Sequence, residues 1–257
     1  TGLRTARLIW SLFQSQKLLN PRSSFQLTSS FSLVVMISMT PEERSLLLND
    51  IMASYSWCWS TFREMRASDW FCGVHGPGTV KTLENILEKV AQEKYKKTKN
   101  PSDVLLYYVI LGKTPLLSAM YKAKHQTKIG EFLTSASRSY RSATDLEACN
   151  RQATKNAASL MRQGKAFMAA GFFLLCEPPR VREAVNVLCS RDRAQGGDCD
   201  LGLVVAHLYD SRQGEQSGHM DYARDHWYPT KAVEERVEEA EEADLNDVEA
   251  QNMLEEK

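Results

Sequence analysis

Apolar positions along the chain recur in short segments that end at glycine, proline or a polar turn. None of these segments shows the two-residue alternation of a half-buried strand, and the pattern is typical of helix hairpins. The segment from Lys165 to Cys176 is apolar or small at nearly every position, which predicts a helix covered on both sides by its neighbours. Pro178 and Pro179 cannot continue that helix. The segment after them, Val181 to Ser190, places four apolar residues on one face: Val181, Ala184, Val185 and Leu188.

The first strong helix signal is the sequence Thr40-Pro41-Glu42-Glu43. It combines an N-cap residue, a proline in the first turn and acidic side chains at the positive end of the helix dipole. A helix of three or four turns is therefore expected, with an apolar stripe made by Leu46, Leu47, Ile51 and Met52.

The most regular helix is predicted from Val80 to Lys97, with Thr79 as its N-cap. Its apolar residues recur at steps of three or four, and they are Val80, Leu83, Ile86, Leu87, Val90, Ala91 and Tyr95. Lysines gather at its C-terminal end, at positions 94, 96, 97 and 99. We interpret them as a solvated surface that complements the helix dipole, in preference to a nuclear-import or phosphate-binding patch.

The next two predicted helices each begin with a capping residue followed by proline. Asn100-Pro101 precedes Val104 to Leu111, an unbroken apolar run closed by Gly112, which predicts a short helix buried on all sides. Thr114-Pro115 begins another helix, whose apolar residues are Leu116, Leu117, Ala119, Met120 and Ala123.

The sequence gives little support for nucleic-acid binding, phosphate binding, metal binding or catalysis. Trp57, Trp59, Phe62 and Trp70 could stack bases, but only Arg63 and Arg66 lie nearby, so core packing is favoured over nucleic-acid binding. The glycine-containing stretch at 73–82 has its lysine at the wrong spacing for a phosphate loop. Histidine and cysteine spacings do not match a zinc site, and no nucleophile elbow or metalloprotease motif occurs. We therefore predict no catalytic residues, metal or cofactor, and a protein that is not an enzyme.

Composition and charge refine this picture. The 257 residues are 43% hydrophobic, which is enough for a sizeable core, and the formal net charge is zero. Residues 231–257 hold eleven acidic and three basic side chains, a net charge of −8, so the rest of the chain carries +8. The acidic tail suggests a partly disordered end able to bind a basic partner. Six scattered cysteines indicate a reducing compartment and free thiols.

The first forty residues lack acidic side chains and are rich in serine and basic residues. This is the composition of a mitochondrial transit peptide. The chain begins at Thr1 and not at Met, so we favour a fragment or an incomplete gene model. The apolar run from Phe31 to Met39 is too short for a membrane helix, for which about 20 residues are needed.

Several of these segments together resemble the C-terminal helical region of the RAVE-complex large subunit and its DmX-like or rabconnectin relatives, over about residues 70–209. An Ala-Ala-Phe-Phe-Leu-Leu helix, a helix ending in Cys and a helix closing on Leu-Tyr occur in that order in the family. The resemblance departs from the family at Ser135 to Gln152, a predicted loop. The matching positions are Trp70, Pro101, Asp103, Tyr107, Tyr108, Lys113, Lys155, Asn156, Ala157, Phe172, Phe173, Leu174, Leu175, Ala184, Val185, Cys189, Ala206, Leu208 and Tyr209.

We thus expect an all-α, α-solenoid-like protein of stacked antiparallel helix hairpins with flexible termini. The expected parts are a basic, poorly ordered segment at 1–40, a helical domain at 41–210, and a linker with an acidic tail at 211–257. The resemblance implies a cytoplasmic scaffold that, with other RAVE-type subunits, supports V-ATPase assembly and vacuolar or endosomal acidification. Its partners would include peripheral-sector subunits, through which it would reach the membrane. The alternative is a helical-repeat module of a vesicle coat or membrane tether, which shares the hairpin architecture.

Overall fold

The computed structural model describes residues 31–32, 35–54, 56–71, 77–137, 142–190, 197–213 and 218–227. All regular secondary structure in those ranges is helical, as predicted. The α-helices are α1 (Pro41–Ser54), α2 (Trp59–Glu64), α3 (Pro77–Thr98), α4 (Leu105–Ile110), α5 (Thr114–Ala123), α6 (Thr127–Ala136), α7 (Ala143–Arg162), α8 (Ala166–Leu174), α9 (Val181–Cys189), α10 (Cys199–Gln213) and α11 (His219–Trp227). Short 3-10 turns cover Asp69–Phe71 and Pro101–Val104.

The start of α1 is the predicted cap. Thr40 Oγ1 accepts a hydrogen bond from the Glu43 amide at 3.3 Å, and Glu43 Oε2 accepts one from the Thr40 amide at 3.0 Å. This reciprocal pair is a capping box, which satisfies two main-chain donors that the helix leaves open. The apolar stripe is rotated from its predicted position. Leu46, which was predicted to belong to it, is 61% exposed, whereas Leu48 is fully buried.

Helix α3 begins at Pro77, so Thr79 lies inside the helix and is buried. The prediction that Thr79 caps this helix is therefore wrong. The predicted apolar face is correct, since Leu83, Ile86, Leu87, Val90 and Ala91 are all buried.

The two segments predicted to lie in the interior do so. Every residue of α4 is buried, and Asn100 caps the preceding 3-10 turn by accepting a hydrogen bond from the Ser102 amide at 3.2 Å. Helix α8 is buried apart from Phe167 and Met168, which are half-buried. After α8 the chain turns at the cis peptide between Glu177 and Pro178 and enters α9.

The helices pack mainly against their neighbours in sequence: α5 with α6, α7 with α8, α8 with α9, α9 with α10, and α10 with α11. This is the solenoid-like stacking that the sequence predicted. Helices distant in sequence also pack together, α4 on α8 and α3 on α10. The buried segments α4 and α8 thus meet in the interior, which explains why neither has a polar face.

Three boundaries differ from the predictions. The segment from 143 to 152, predicted as part of a loop, is the first half of α7, which begins after the N-cap Ser142. Helix α10 runs to Gln213, beyond the predicted start of the linker, and α11 lies within the region expected to be linker and tail. In the predicted N-terminal segment, Phe31, Val35 and Met39 are buried in the core. Residues 1–30 and the acidic tail at 231–257 lie outside the described residues.

Candidate functional site

The positions that carry the family resemblance lie mostly in the core. Fourteen of these motif residues are buried: Trp70, Pro101, Tyr107, Tyr108, Ala157, Phe172, Phe173, Leu174, Leu175, Ala184, Val185, Ala206, Leu208 and Tyr209. Asp103, Lys113, Asn156 and Cys189 are half-buried, and Lys155 is exposed. These side chains hold helices together and do not form a cleft with converging polar groups. The motif is accordingly a packing pattern.

Tyr107 is the centre of an aromatic junction between helices. Its ring lies 5.2 Å from the ring of Phe167 on α8 and 6.1 Å from that of Trp59 on α2. Trp59 in turn stacks on Phe62 at 4.6 Å. Edge-to-face and offset contacts of this kind add about 0.5–1.5 kcal/mol each to area burial. The cluster predicted from these tryptophans to be core is therefore part of the packing.

The Lys94 side chain on α3 packs over the rings of the same aromatic junction. Its ammonium lies 5.0 Å from the centre of the Phe167 ring and 5.6 Å from that of Tyr107. Burial lowers the pKa of Lys94, while the nearby carboxylates of Asp103 and Asp198 oppose that shift. The interpretation of all four lysines as a solvated surface is thus wrong for Lys94. An ammonium group placed over two aromatic rings adds cation–π attraction, which a lysine surrounded only by water lacks.

Asp198 fastens the start of α10 to α2. Its Oδ2 accepts a hydrogen bond from Trp59 Nε1 at 2.7 Å and pairs with Arg63 at 3.4 Å. Its Oδ1 accepts a hydrogen bond from the Leu201 amide at 3.1 Å, as an N-cap does. The sequence analysis did not identify Asp198, and its links to Trp59 and Arg63 could not be predicted because those residues lie more than 130 positions away.

Asn150 makes a comparable link from α7. Its side-chain amide donates to the Glu177 carbonyl oxygen at 2.7 Å and accepts from the Glu177 amide at 2.8 Å. The turn between α8 and α9 is therefore tied to the helix before α8. Asn150 lies in the stretch where the family resemblance departs, so it is not among the motif positions.

Cys189 is the motif residue with the most unusual surroundings. A hydrogen bond with the Cys199 thiol, together with burial, raises the pKa of the Cys189 thiol above its ordinary value. A high pKa disfavours the thiolate, so this sulfur is a poor nucleophile. The cysteines in the described ranges, which exclude Cys72, are free thiols. Within the same ranges, no group of three or more His, Cys, Asp or Glu side chains could hold a metal ion.

Leu116, which the sequence predicted among the apolar residues of its helix, is one of the exposed large apolar side chains of the described residues. Leu116 on α5 is 49% exposed and Ile37 is 78% exposed. On α5 the inward side instead carries Leu117, Tyr121 and the polar Ser118, whose hydroxyl donates to the Gly130 carbonyl oxygen of α6 at 2.6 Å. The outer surface of α5 therefore shows Leu116, Ala119 and Ala123 to solvent.

No helix in the described part of the chain combines the length and apolarity needed to cross a bilayer.

Comparison with known proteins identifies the family. The model for "RAVE protein 1 C terminal" matches residues 12–220, a wider range than the 70–209 on which the sequence resemblance rests. DmX-like protein 1 of Homo sapiens is 26% identical over 170 residues, which cover 66% of this chain and 5% of that protein. DmX-like protein 1 of Mus musculus is 26% identical over 172 residues, with the same two shares. The chain thus spans about a twentieth of the length of these relatives.

No solved structure gives a significant match to the chain. The family model nevertheless covers most of the sequence, and its range contains the helices from α1 to α10 and every motif residue named above. The chain belongs to the RAVE protein 1 C-terminal family.

Proposed function

We propose that this chain is the helical part of a non-enzymatic scaffold that regulates V-ATPase assembly and so supports acidification of vacuoles or endosomes. The observation that carries the proposal is the family match over residues 12–220. The proposed partners are other RAVE-type subunits and subunits of the peripheral sector of the pump. The proposed location is the cytoplasm, at vacuolar or endosomal membranes reached through those partners.

The architecture is compatible with such a role. Stacked hairpins expose long surfaces to partners, and the polar groups at the Tyr107 and Asp198 junctions are engaged in holding helices together.

Co-purification tests the proposal and separates it from the alternative. The tagged chain, expressed at its natural level, should bring down peripheral-sector subunits of the pump from cell extract. Recovery of vesicle-coat or tethering subunits in their place would favour the alternative and contradict the proposal. A Trp70→Ala variant, in which a fully buried side chain is removed, serves as the control for dependence on the folded body.

A further inference from the structure

Two half-buried cysteines lie side by side at the junction of α9 and α10. Cys189 is the last residue of α9, and Cys199 is the first residue of α10. The Cys199 thiol donates a hydrogen bond to the Cys189 carbonyl oxygen at 3.5 Å, and the two thiol groups are hydrogen-bonded to each other. Both side chains are partly accessible to solvent, whereas Cys176 is buried. A small reagent can therefore reach this pair.

The backbone around the two cysteines fixes their positions. The Asp198 amide donates to the Leu188 carbonyl oxygen at 2.8 Å, so the residues directly before each cysteine are joined. Gly202 lies about one turn beyond Cys199 on α10, and a Cβ atom there would be 2.8 Å from Cys189 Sγ. The Cys189 sulfur thus rests on the same stretch of α10 that carries Cys199. A sulfur–sulfur bond of about 2 Å then requires rotation of the two side chains and not a rearrangement of helices.

We propose that Cys189 and Cys199 form a redox pair that exchanges with a small-molecule disulfide, glutathione disulfide, and that the product disulfide joins α9 covalently to α10. The bond would lie next to Asp198, which links the start of α10 to Trp59 of α2. Oxidation would therefore reinforce a junction at which three helices already meet. The proposal does not depend on the V-ATPase, because it rests on the geometry of one chain.

The exchange takes place in two steps. The deprotonated Cys199 sulfur attacks one sulfur of glutathione disulfide, which forms a mixed disulfide and releases one glutathione thiolate. The deprotonated Cys189 sulfur then attacks Cys199 Sγ, which forms the Cys189–Cys199 bond and releases the second glutathione thiolate. Two electrons pass from the protein sulfurs to the glutathione sulfurs. The two protons lost by the protein thiols are taken up by the two glutathione thiolates.

The surroundings of the pair decide which sulfur reacts first. The hydrogen bond with Cys199 is the main reason that the pKa of the Cys189 thiol is raised, so Cys189 keeps its proton in the reduced pair. Cys199 lies at the N-terminal end of α10, where the helix dipole favours a thiolate. Once Cys199 is in the mixed disulfide, its thiol no longer holds the Cys189 proton in place. The carboxylates of Asp198 and Asp200 disfavour negative charge at the pair, which slows the exchange but does not oppose the uncharged product.

Equilibration of the full chain in glutathione redox buffers, followed by disulfide mapping by mass spectrometry, tests the proposal. The quantity measured is the effective concentration of the two thiols, in the folded chain and in the chain unfolded by urea. It should be higher in the folded chain by about tenfold or more, because the fold holds the sulfurs in contact. Cys189→Ser and Cys199→Ser should each stop at a mixed disulfide with glutathione. The control Cys149→Ser, which replaces another half-buried cysteine, should keep the Cys189–Cys199 disulfide.

Several results would overturn the proposal. An effective concentration in the folded chain equal to or below that in the unfolded chain would show that the fold does not place the two sulfurs to bond. A disulfide that maps to Cys149 and Cys176, or that forms only between two chains, would do the same. Circular dichroism checks that each variant is folded. The comparison of folded with unfolded wild type needs no variant, so it decides the proposal even where a substitution prevents folding.

Discussion

Gly171 of α8 lies directly against Leu105 of α4, so closely that a Cβ atom at position 171 would be 2.2 Å from Leu105 Cδ2. The Leu106 Cα atom would be 3.6 Å from the same Cβ. This approach joins two helices that are separated by more than 50 residues and are both buried almost throughout. The absence of a side chain at 171 is therefore a condition for stacking α4 on α8.

Gly171→Ala should destabilise the protein. Overpacking a well-packed core costs about 1–3 kcal/mol, and the gain in helix propensity of up to about 1 kcal/mol offsets only part of it. Chemical denaturation of wild type and variant measures the difference in the free energy of unfolding. Gly78→Ala is the matched control, because a Cβ there meets nothing within 4 Å. It should be neutral or stabilising.

A double-mutant cycle with Leu105→Ala identifies the cause. If the clash with Leu105 is responsible, the cost of Gly171→Ala should fall by at least about 1 kcal/mol when Leu105 is shortened. Additive effects of the two substitutions would contradict a direct steric contact.

Arg44→Lys should lower stability by about 2 kcal/mol, because hydrogen bonds from charged groups contribute about 1.5–3 kcal/mol. Arg44 donates to the carbonyl oxygens of Met39 at 3.0 Å and Trp70 at 2.8 Å, and also to that of Met36. Lysine keeps the charge but lacks the planar fork that reaches three acceptors.

The control for Arg44→Lys is Arg151→Lys. The pair of Arg151 with Glu147 has both side chains 74% exposed, so this change should cost less than about 0.5 kcal/mol. Equal effects of the two substitutions in thermal unfolding would contradict a structural role for Arg44.

Tyr121 gives the protein a pH dependence in the alkaline range. Burial raises the pKa of Tyr121 to about 12 from its ordinary value of 10.0. Between these pH values the unfolded chain loses the phenolic proton while the folded chain keeps it, so stability falls as pH rises. Tyr121→Phe should remove this component.

Measurement of unfolding at pH 8 and pH 11 for wild type and Tyr121→Phe checks the sign. At pH 8 the variant should be less stable by about 1 kcal/mol, because it lacks the hydrogen bond to Ser102. At pH 11 the difference should shrink or reverse. A difference that stays constant with pH would show that Tyr121 titrates alike in both states.

Asp210→Ala should loosen α11 without unfolding the body. The Asp210 carboxylate accepts hydrogen bonds from the amides of His219 at 3.1 Å and Met220 at 2.7 Å, the first donors of α11. Loss of such an acceptor costs about 1–2 kcal/mol. Hydrogen exchange should speed up in α11 while α4 stays protected. Unchanged exchange at 219–223 would contradict this role.

The accuracy of the sequence predictions follows the strength of the local signals. Pro178 and Pro179 end α8 by sterics alone, and Asn100-Pro101 and Gly112 bound α4 in the same way, so those elements were predicted correctly. The sequence predicts less well which face of a helix is buried. Leu46 and Leu116 fit an apolar stripe, yet the neighbours approach from another angle, and Gly130 lets Ser118 face inward to α6.

The polar links were not predictable from the sequence. Asp198, Asn150 and Lys94 also contact partners that only the folded chain brings close: Trp59, Glu177 and Phe167. The family resemblance likewise identified positions that are mainly core. It predicted the fold well but gave no direct information on which surface a partner contacts.

The proposal to be tested is that this chain belongs to a scaffold that promotes V-ATPase assembly. The most direct test is the fraction of peripheral-sector subunits that sediment with vacuolar or endosomal membranes in cells from which the gene has been removed. We expect this fraction to fall severalfold and the organelles to lose acidity, and we expect restoration of the gene to reverse both changes. A normal membrane-bound fraction in the deleted cells would contradict it.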